Sequence, residues 1–257
     1  MKTITPQAPS PWPYPRWIAH RGAGKLAPEN TLAAFRVGAS HGYRMFECDA
    51  KLSADGVVFL MHDTTLERTT NGRGIGGHHE WQDLSQLDAG AWHSRCFAGE
   101  PLATLSAVAG YCLANAFMLN IEIKPTPGLE RTTGVAVAKA AAALWASSMM
   151  APPLMTSFQP DALQGAKEAA PALPRGLLLD TLWDGWLDVA IELGCVAIVC
   201  NHALWDDTSM EKATRSGMRT LAYTVNDEWA VERLLHLGID GVITDRVDLF
   251  PPGRATS

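Results

Sequence analysis

Four short stretches of the chain combine residues that can titrate, bind phosphate or hold a hard cation: His20-Arg21-Gly22, Glu47-Cys48-Asp49, His62-Asp63 and Glu122-Ile123-Lys124. An imidazole titrates near neutral pH, so His20 and His62 form a candidate acid–base pair. Which of the two takes a proton and which gives one is open at this level. Three carboxylates gathered on one rim repel each other unless a cation lies among them. Glu47, Asp49 and Glu122 are oxygen donors only, which suits Mg2+ or Ca2+ and offers nothing specific to zinc. Arg21 presents a planar fork of donors to phosphate oxygens, and Lys124 a point charge. Cleaving a phosphodiester needs this combination. A nucleophile is deprotonated, a leaving alkoxide is protonated, and phosphate charge is offset.

These groups act together only if the elements that carry them converge. Short apolar runs alternate with helical patterns along the chain. Strands are expected at residues 17–20, 45–50, 118–124, 154–158, 176–179, 196–200, 220–225 and 241–244, eight in all. Helices are expected between most of them, at 31–41, 106–115, 132–147, 160–168, 186–193, 207–216 and 228–237. Gly42, Gly194, Gly217 and Gly238 are their candidate C-caps. Eight units of this kind with near-continuous apolar strands imply an α/β fold, a closed TIM (β/α)8 barrel rather than an open sheet. Barrel enzymes build their sites at the C-terminal strand ends, where all four stretches fall. Residues two apart on a strand share a face, so Glu47 points with Asp49, and Glu122 with Lys124. Cys48, between the two acids, points away and packs.

Residues 51 to about 105 break the rhythm. A second strand-like run at 57–61 follows Asp55-Gly56, and a stretch rich in Gly, Asn and Trp follows that. This is too long for an ordinary βα loop and reads as a small insertion after the second strand. Placed over the catalytic face, it would form a lid or substrate wall.

Taken singly, each residue has a structural explanation, because ion-pair networks imitate sites and strand-end histidines are often structural. The case rests on the set. Asn30 is a credible N-cap for a helix beginning at Thr31. Glu29 lies close behind the His20 turn and is expected on the rim, touching the metal shell or His20. His78 and His79 read as exposed, and His41 and His236 as dipole-favoured residues near helix C-termini. His93 and His202 receive no role.

Composition sets the limits. The 257 residues suit one domain of the barrel kind, with 47% hydrophobic and 19% charged residues. A net charge of −6 argues against a nucleic-acid partner and against a stable hold on anionic membranes. Five cysteines at scattered positions read as reduced thiols of a cytoplasmic protein. Residues 1–15 carry five prolines and no apolar core, so they read as an extended lead-in rather than a secretory leader. No apolar run has the length of a membrane span. No pattern in the sequence specifies an oligomer.

In order along the chain stand His20-Arg21-Gly22, Pro28-Glu29-Asn30-Thr31, Glu47-x-Asp49, His62-Asp63, Leu66-x-Arg68-Thr69-Thr70, Gly72-x-Gly74 and Glu122-x-Lys124. Ser157-Phe158, Tyr223-Thr224-Val225-Asn226 and Gly241-Val242-Ile243-Thr244-Asp245 follow. This ordered set resembles the glycerophosphodiester phosphodiesterases from about Trp17 to Asp245, most of all the bacterial cytoplasmic form that accompanies uptake of glycerol phosphates. The resemblance implies a TIM barrel with an insertion after the second strand. It implies Glu47, Asp49 and Glu122 as ligands of a divalent cation, His20 and His62 as acid–base residues, and Arg21 and Lys124 as phosphate contacts. Phe158 and Tyr223 would line the alcohol pocket; many relatives have Trp where Tyr223 stands. The implied substrates are small glycerophosphodiesters, such as glycerophosphocholine and glycerophosphoethanolamine, cleaved to sn-glycerol 3-phosphate and an alcohol.

Three rivals compete. A lysophospholipase D or a phosphoinositide-type phospholipase C on the same barrel would need access to lipid, and no exposed apolar run is evident. A binding module would lack a histidine or a carboxylate, and none is missing. An aldolase or isomerase barrel would need a Schiff-base lysine, for which Lys124 is the one candidate, and it lies beside Glu122.

Overall fold

The structure, a computed structural model, describes residues 12–253. The first eleven residues of the expected lead-in lie outside that range. The strands are β1 (Trp17–Ala19), β2 (Met45–Leu52), β3 (Val58–Leu60), β4 (Met118–Ile123), β5 (Leu154–Ser157), β6 (Arg175–Leu179), β7 (Ala197–Asn201), β8 (Arg219–Tyr223) and β9 (Gly241–Thr244). The helices are α1 (Leu32–Ser40), α2 (Trp81–Leu84), α3 (Leu105–Ala114), α4 (Glu130–Trp145), α5 (Pro160–Ala169), α6 (Trp186–Glu192), α7 (Asp207–Arg215) and α8 (Glu228–His236). Every expected element is present, and its ends move by no more than two residues.

Eight strands pair in parallel in the order β1-β9-β8-β7-β6-β5-β4-β2, and β1 pairs β2 to close the ring. The ninth, β3, is an antiparallel hairpin partner of β2, with Ala50 opposite Leu60. This is the expected TIM barrel, and the hairpin opens the insertion.

Alternation along the strands sorts the side chains. Ile18, Met45, Leu154, Leu178, Val199, Leu221 and Ile243 meet in one buried cluster inside the barrel. Ala19, Phe46, Cys48, Ala50, Leu119 and Ile121 point outward and pack on α1, α3 and α4 through Phe35, Val108 and Val137. Leu177, Leu179, Ile198, Cys200 and Ala222 do the same against α6, α7 and α8. Cys48 is thus a packing residue, as its parity requires. Cys48, Cys112, Cys195 and Cys200 are buried, Cys96 is exposed, and none of the five is paired. Below the site the barrel interior is filled with apolar side chains, so polar ones gather at the C-terminal rim.

Local signals explain the helix starts. Pro160 opens α5 with its φ already helical. Asp206 and Ser209 form a reciprocal capping box on α7. Gly42, Gly194, Gly217 and Gly238 follow their helices at φ between 65° and 89°, as C-caps do. One expected cap is wrong. Thr31, not Asn30, caps α1: its Oγ1 accepts from the Ala34 N–H at 3.2 Å. Asn30 sits at φ 62° with its side chain turned into the barrel. A single residue cannot cap the helix and reach inward at once.

The insertion is tied down at several points. Glu100 Oε1 accepts the free Ala33 N–H in the first turn of α1, 2.9 Å away. The His93 ring meets the Lys25 carbonyl at 3.0 Å. The insertion therefore lies against the β1–α1 connection, beside the rim.

Candidate active site

His20 follows β1 directly, and its N–H donates to the Thr244 carbonyl at 3.0 Å. The chain then turns sharply through Arg21 at φ 50° and Gly22 at φ 100°. A Cβ on Gly22 would meet Ala34 Cβ at 2.8 Å, so glycine lets α1 press onto the turn. Gly24 is held more tightly still, since a Cβ there would lie 2.2 Å from Asp245 Cα. The turn thereby seats His20 against the end of β9. His20 Nδ1 lies 2.6 Å from Asp245 Oδ1, and its Nε2 lies 3.8 Å from Glu47 Oε2.

The three acids come together as their parity requires. Glu47 pairs across to Asn120, and Asp49 to Glu122, in the β2–β4 register. One oxygen from each of Glu47, Asp49 and Glu122 lies within 4.8 Å of the others, and all three residues are buried. The second oxygens of the first two acids are tethered. Glu47 Oε2 accepts the Arg21 backbone N–H at 3.0 Å, and Asp49 Oδ2 accepts Asn30 Nδ2 at 2.8 Å. Asn30 Oδ1 in turn accepts the Asp49 N–H at 3.0 Å. Glu47 Oε1 and Asp49 Oδ1 are left buried without a hydrogen-bond partner. Glu122 Oε1 has the Lys124 ammonium at 2.7 Å, off hydrogen-bonding alignment. Buried oxygens left bare in this way are costly unless something cationic meets them. The residues present fit a hard divalent cation: three oxygen donors, each with a free lone pair, and two held in place from behind.

Electrostatics point the same way. Burial pushes the Glu47 carboxyl well above its usual range, and the charges of Asp49 and Glu122 push it further. Burial and Asp49 lift Glu122 to about 7. Burial would also lift Asp49, but Arg21, Lys124, His62 and the Asn30 bond outweigh it and hold Asp49 at about 2. Of three crowded carboxyls, one ionises readily and two resist. A divalent cation among them would favour ionisation of all three.

His62 follows β3 and reaches the rim from the insertion side. Its Nδ1 lies 2.8 Å from Asp63 Oδ1. Burial lowers the His62 proton affinity, and Asp63 opposes this. Bonds from Arg68 hold Asp63 well below the usual carboxylate range. Arg68 grips two acids at once, Asp63 and Glu29, with Nη1 and Nη2 at 2.8 Å from the two Glu29 oxygens. Glu29 also accepts from Arg21 Nη1 at 2.9 Å. Glu29 thus bonds two arginines, one of which, Arg21, also bonds Glu47, and it joins the β1–α1 turn to the insertion.

Two adjoining cavities share His62, Glu122, Lys124 and Phe158 as walls. The inner one, about 130 Å3, lies over the barrel axis and is also bounded by His20, Arg21, Glu47 and Tyr223. The outer one, about 600 Å3, opens past Lys51, Asp63, Thr64, Thr65 and Gln159. The insertion thus supplies part of its wall through residues 62–65. Lys124 Nζ sits 5.3 Å from the centre of the Phe158 ring, which stands edge-on to Tyr223. The Tyr223 hydroxyl donates to the Leu179 carbonyl at 2.9 Å, so its ring, not its hydroxyl, faces the inner cavity.

All ten residues singled out in the sequence lie at this rim, with Asp49 and Glu29 behind the cavity walls. The supports of the histidines carried no role in the sequence. Asp245 is steadied by Asn226, whose Nδ2 donates to Asp245 Oδ2 at 3.0 Å and whose Oδ1 accepts the Asp245 N–H at 2.9 Å. Ring closure would have revealed Asp245, because pairing of β9 with β1 puts Thr244 opposite Ala19. Lys51 was also passed over, although it shares parity with Glu47 and Asp49.

Comparisons with known proteins agree with this geometry. Residues 20–249 match the Glycerophosphoryl diester phosphodiesterase family. The chain is 32% identical over 233 residues to a glycerophosphodiester phosphodiesterase of Caldanaerobacter subterraneus, covering 89% of this chain and 93% of that one. A solved phosphodiesterase of Oleispira antarctica, in complex with the product sn-glycerol-3-phosphate, superposes with a TM-score of 0.84 at 32% identity, covering 93% of this chain and 94% of that one. The glycerophosphodiester phosphodiesterase of Agrobacterium tumefaciens gives 0.76 at 29% identity, covering 93% and 99%. The family match runs from His20 to Leu249, and the chain belongs to the glycerophosphoryl diester phosphodiesterase family of enzymes.

Proposed function

We propose that the protein hydrolyses small glycerophosphodiesters to sn-glycerol 3-phosphate and an alcohol, with a divalent cation and two histidines. The observation that carries this reading is the buried trio of Glu47, Asp49 and Glu122 with two oxygens lacking partners, of which Glu47 and Glu122 line a cavity walled by both histidines. The product held by the Oleispira relative supports the glycerol phosphate end. The cation, Mg2+ or Ca2+, held by the trio would offset phosphate charge and act as a Lewis acid toward a phosphate oxygen.

The chain's own groups do the rest. Arg21 and Lys124 hold the non-bridging oxygens. Each histidine commits Nδ1 to an aspartate, which leaves Nε2 to face the substrate. His20 borders only the inner cavity, and we assign it the proton from the attacking oxygen, of water or of the glycerol itself. His62 borders both cavities, and we assign it proton donation to the departing alcohol. The bond from the attacking oxygen to phosphorus forms as the bond to the alcohol breaks; where the glycerol hydroxyl attacks, water then adds to phosphorus and opens the cyclic phosphate to give the monoester. The Tyr223 ring and Phe158 close the apolar side.

The reading is tested by following phosphorus NMR of glycerophosphoglycerol and glycerophosphocholine with the metal-loaded enzyme. Turnover should stop with EDTA and return with Mg2+ or Ca2+. Undiminished turnover in EDTA would remove the cation from the scheme. A net charge of −6 supports a small-molecule partner over nucleic acid or an anionic membrane. Among the described residues no helix is long and apolar enough to cross a membrane. We place the protein in the cytoplasm on its unpaired thiols.

A second reading, hydrolysis of lysophospholipids, has one observation in its favour. Leu129, Leu182, Trp183 and Trp229 are exposed at the starts of βα connections or helices on the catalytic face. Rates on lysophosphatidylcholine matching those on glycerophosphocholine would favour it.

A further inference from the structure

The outer cavity contains a charge that the hydrolysis does not use. Lys51 lies on β2 at the same parity as Glu47 and Asp49, and it is only 2% exposed. Among the described residues no acid lies within ion-pair distance of its ammonium. Its one hydrogen bond, to the Lys124 carbonyl, is long at 3.4 Å. An ammonium has three donors, so two remain to be satisfied, and Lys51 lines the outer cavity beside Thr64, Thr65 and Gln159. Asp63 and Glu122, the acids of that cavity nearest the site, are committed elsewhere, and Glu130 stands at its water-facing edge. Asp63 is gripped by Arg68 and His62. Glu122 belongs to the metal trio and touches Lys124. Glu130 uses one oxygen to accept the Gly128 N–H at 3.0 Å.

We propose that Lys51 sets the choice of leaving alcohol: its buried ammonium receives the hydroxyls or anionic groups of a polyol-type alcohol and disfavours a quaternary or primary ammonium. Two features carry this. The cavity is large enough at about 600 Å3 for a polyol. Its buried under-bonded donor is the Lys51 ammonium, so an oxygen-rich alcohol that reaches it gains bonds there and a cationic one meets like charge at that position. Discrimination then arises because the buried donor is left unpaired by the wrong alcohol.

This inference rests on the glycerophosphodiester reading above, and the test separates the two. Measure kcat/KM on glycerophosphoglycerol, glycerophosphoinositol and glycerophosphocholine for the metal-loaded enzyme and for Lys51→Met and Lys51→Gln. The wild type should favour the polyol diesters over the choline diester by about tenfold or more, the scale of one hydrogen bond to a charged group. Lys51→Met should collapse that ratio toward one, mainly by raising KM for the polyol diesters, and Lys51→Gln should keep part of it. Circular dichroism and melting temperature confirm that each variant is folded. If Lys51→Met does not fold, Lys51→Gln carries the test. Cleavage of all three diesters with no preference, and a ratio unmoved by the variants, would overturn the role of Lys51 and leave the enzyme reading intact. No cleavage of any of the three would sink the enzyme reading itself.

Discussion

The two histidines hand the same nitrogen to the same kind of partner, but the partners are held differently. Asp245 stands at the end of β9, bonded three ways to His20 and to a single Asn226 that grips both its side chain and its backbone. Burial works against its charge, yet the bonds from His20 and Asn226 keep it at about 2. Asp63 stands on the insertion, and its anchor is Arg68, whose side chain is 44% exposed. Barrel strands and their backbone bonds fix one arm. A charged cluster at a water-facing edge fixes the other. The first arm needs no ion pair to remain in place; the second depends on Arg68 and Glu29. A site so built has one fixed imidazole and one held by its loop.

That contrast can be broken at the rings themselves. His20→Ala and His62→Ala should each cost about 10^3-fold in kcat, the usual worth of acid–base catalysis, measured on a glycerophosphodiester with the metal present. A loss under tenfold in either would remove its role. The supports come next. Asp245→Asn should cost about 10^2-fold, because a fully bonded, buried orientation is lost. Asp63→Asn should cost nearer tenfold, because water reaches that ring. Equal losses would erase the distinction between the arms.

Arg68→Ala should have a smaller effect, a few-fold in kcat, since it acts through Asp63. Added guanidinium should restore part of that loss, and amide exchange should quicken across residues 62–75 but not at residues 244–245. Unchanged exchange in the insertion would show that Arg68 does not anchor it.

The mildest effect concerns pH. Glu122 is lifted from 4.5 to about 7, with Glu47 also raised, so the folded metal-free protein holds protons that the unfolded chain releases. Stability of the metal-free protein should therefore fall as pH rises from about 4.5 to about 7. Bound Mg2+ or Ca2+ should reverse the loss, so the metal-induced rise in melting temperature should be larger at pH 8 than at pH 5.5. A rise independent of pH would mean the ion binds elsewhere.

Much of this was legible in the sequence because it is set by periodicity. Strand parity put Glu47, Asp49, Glu122 and Lys124 on one rim. Apolar runs ending in HRG or HD marked where the histidines leave the strands. What could not be read depends on closure and on side-chain choice. Asp245 reaches His20 only because β9 closes on β1, 225 residues away in sequence. Asn30 follows the capping rule well and still turns inward, because a left-handed φ at that position leaves Thr31 to cap α1. Glu29 lies near His20 in the chain but meets arginines, since Arg68 arrives from the insertion. Lys51 shares parity with the acids, but a buried ammonium that lacks acid partners is a property of packing.

The most direct test of the account varies the leaving group. Compare an alkyl glycerophosphodiester with glycerol 3-(p-nitrophenyl phosphate), whose leaving group needs no proton, in wild type, His20→Ala and His62→Ala. The account expects His62→Ala to lose about 10^3-fold on the alkyl diester and little on the nitrophenyl diester, while His20→Ala loses heavily on both. Losses independent of the leaving group in both variants would contradict proton donation by a histidine at this site.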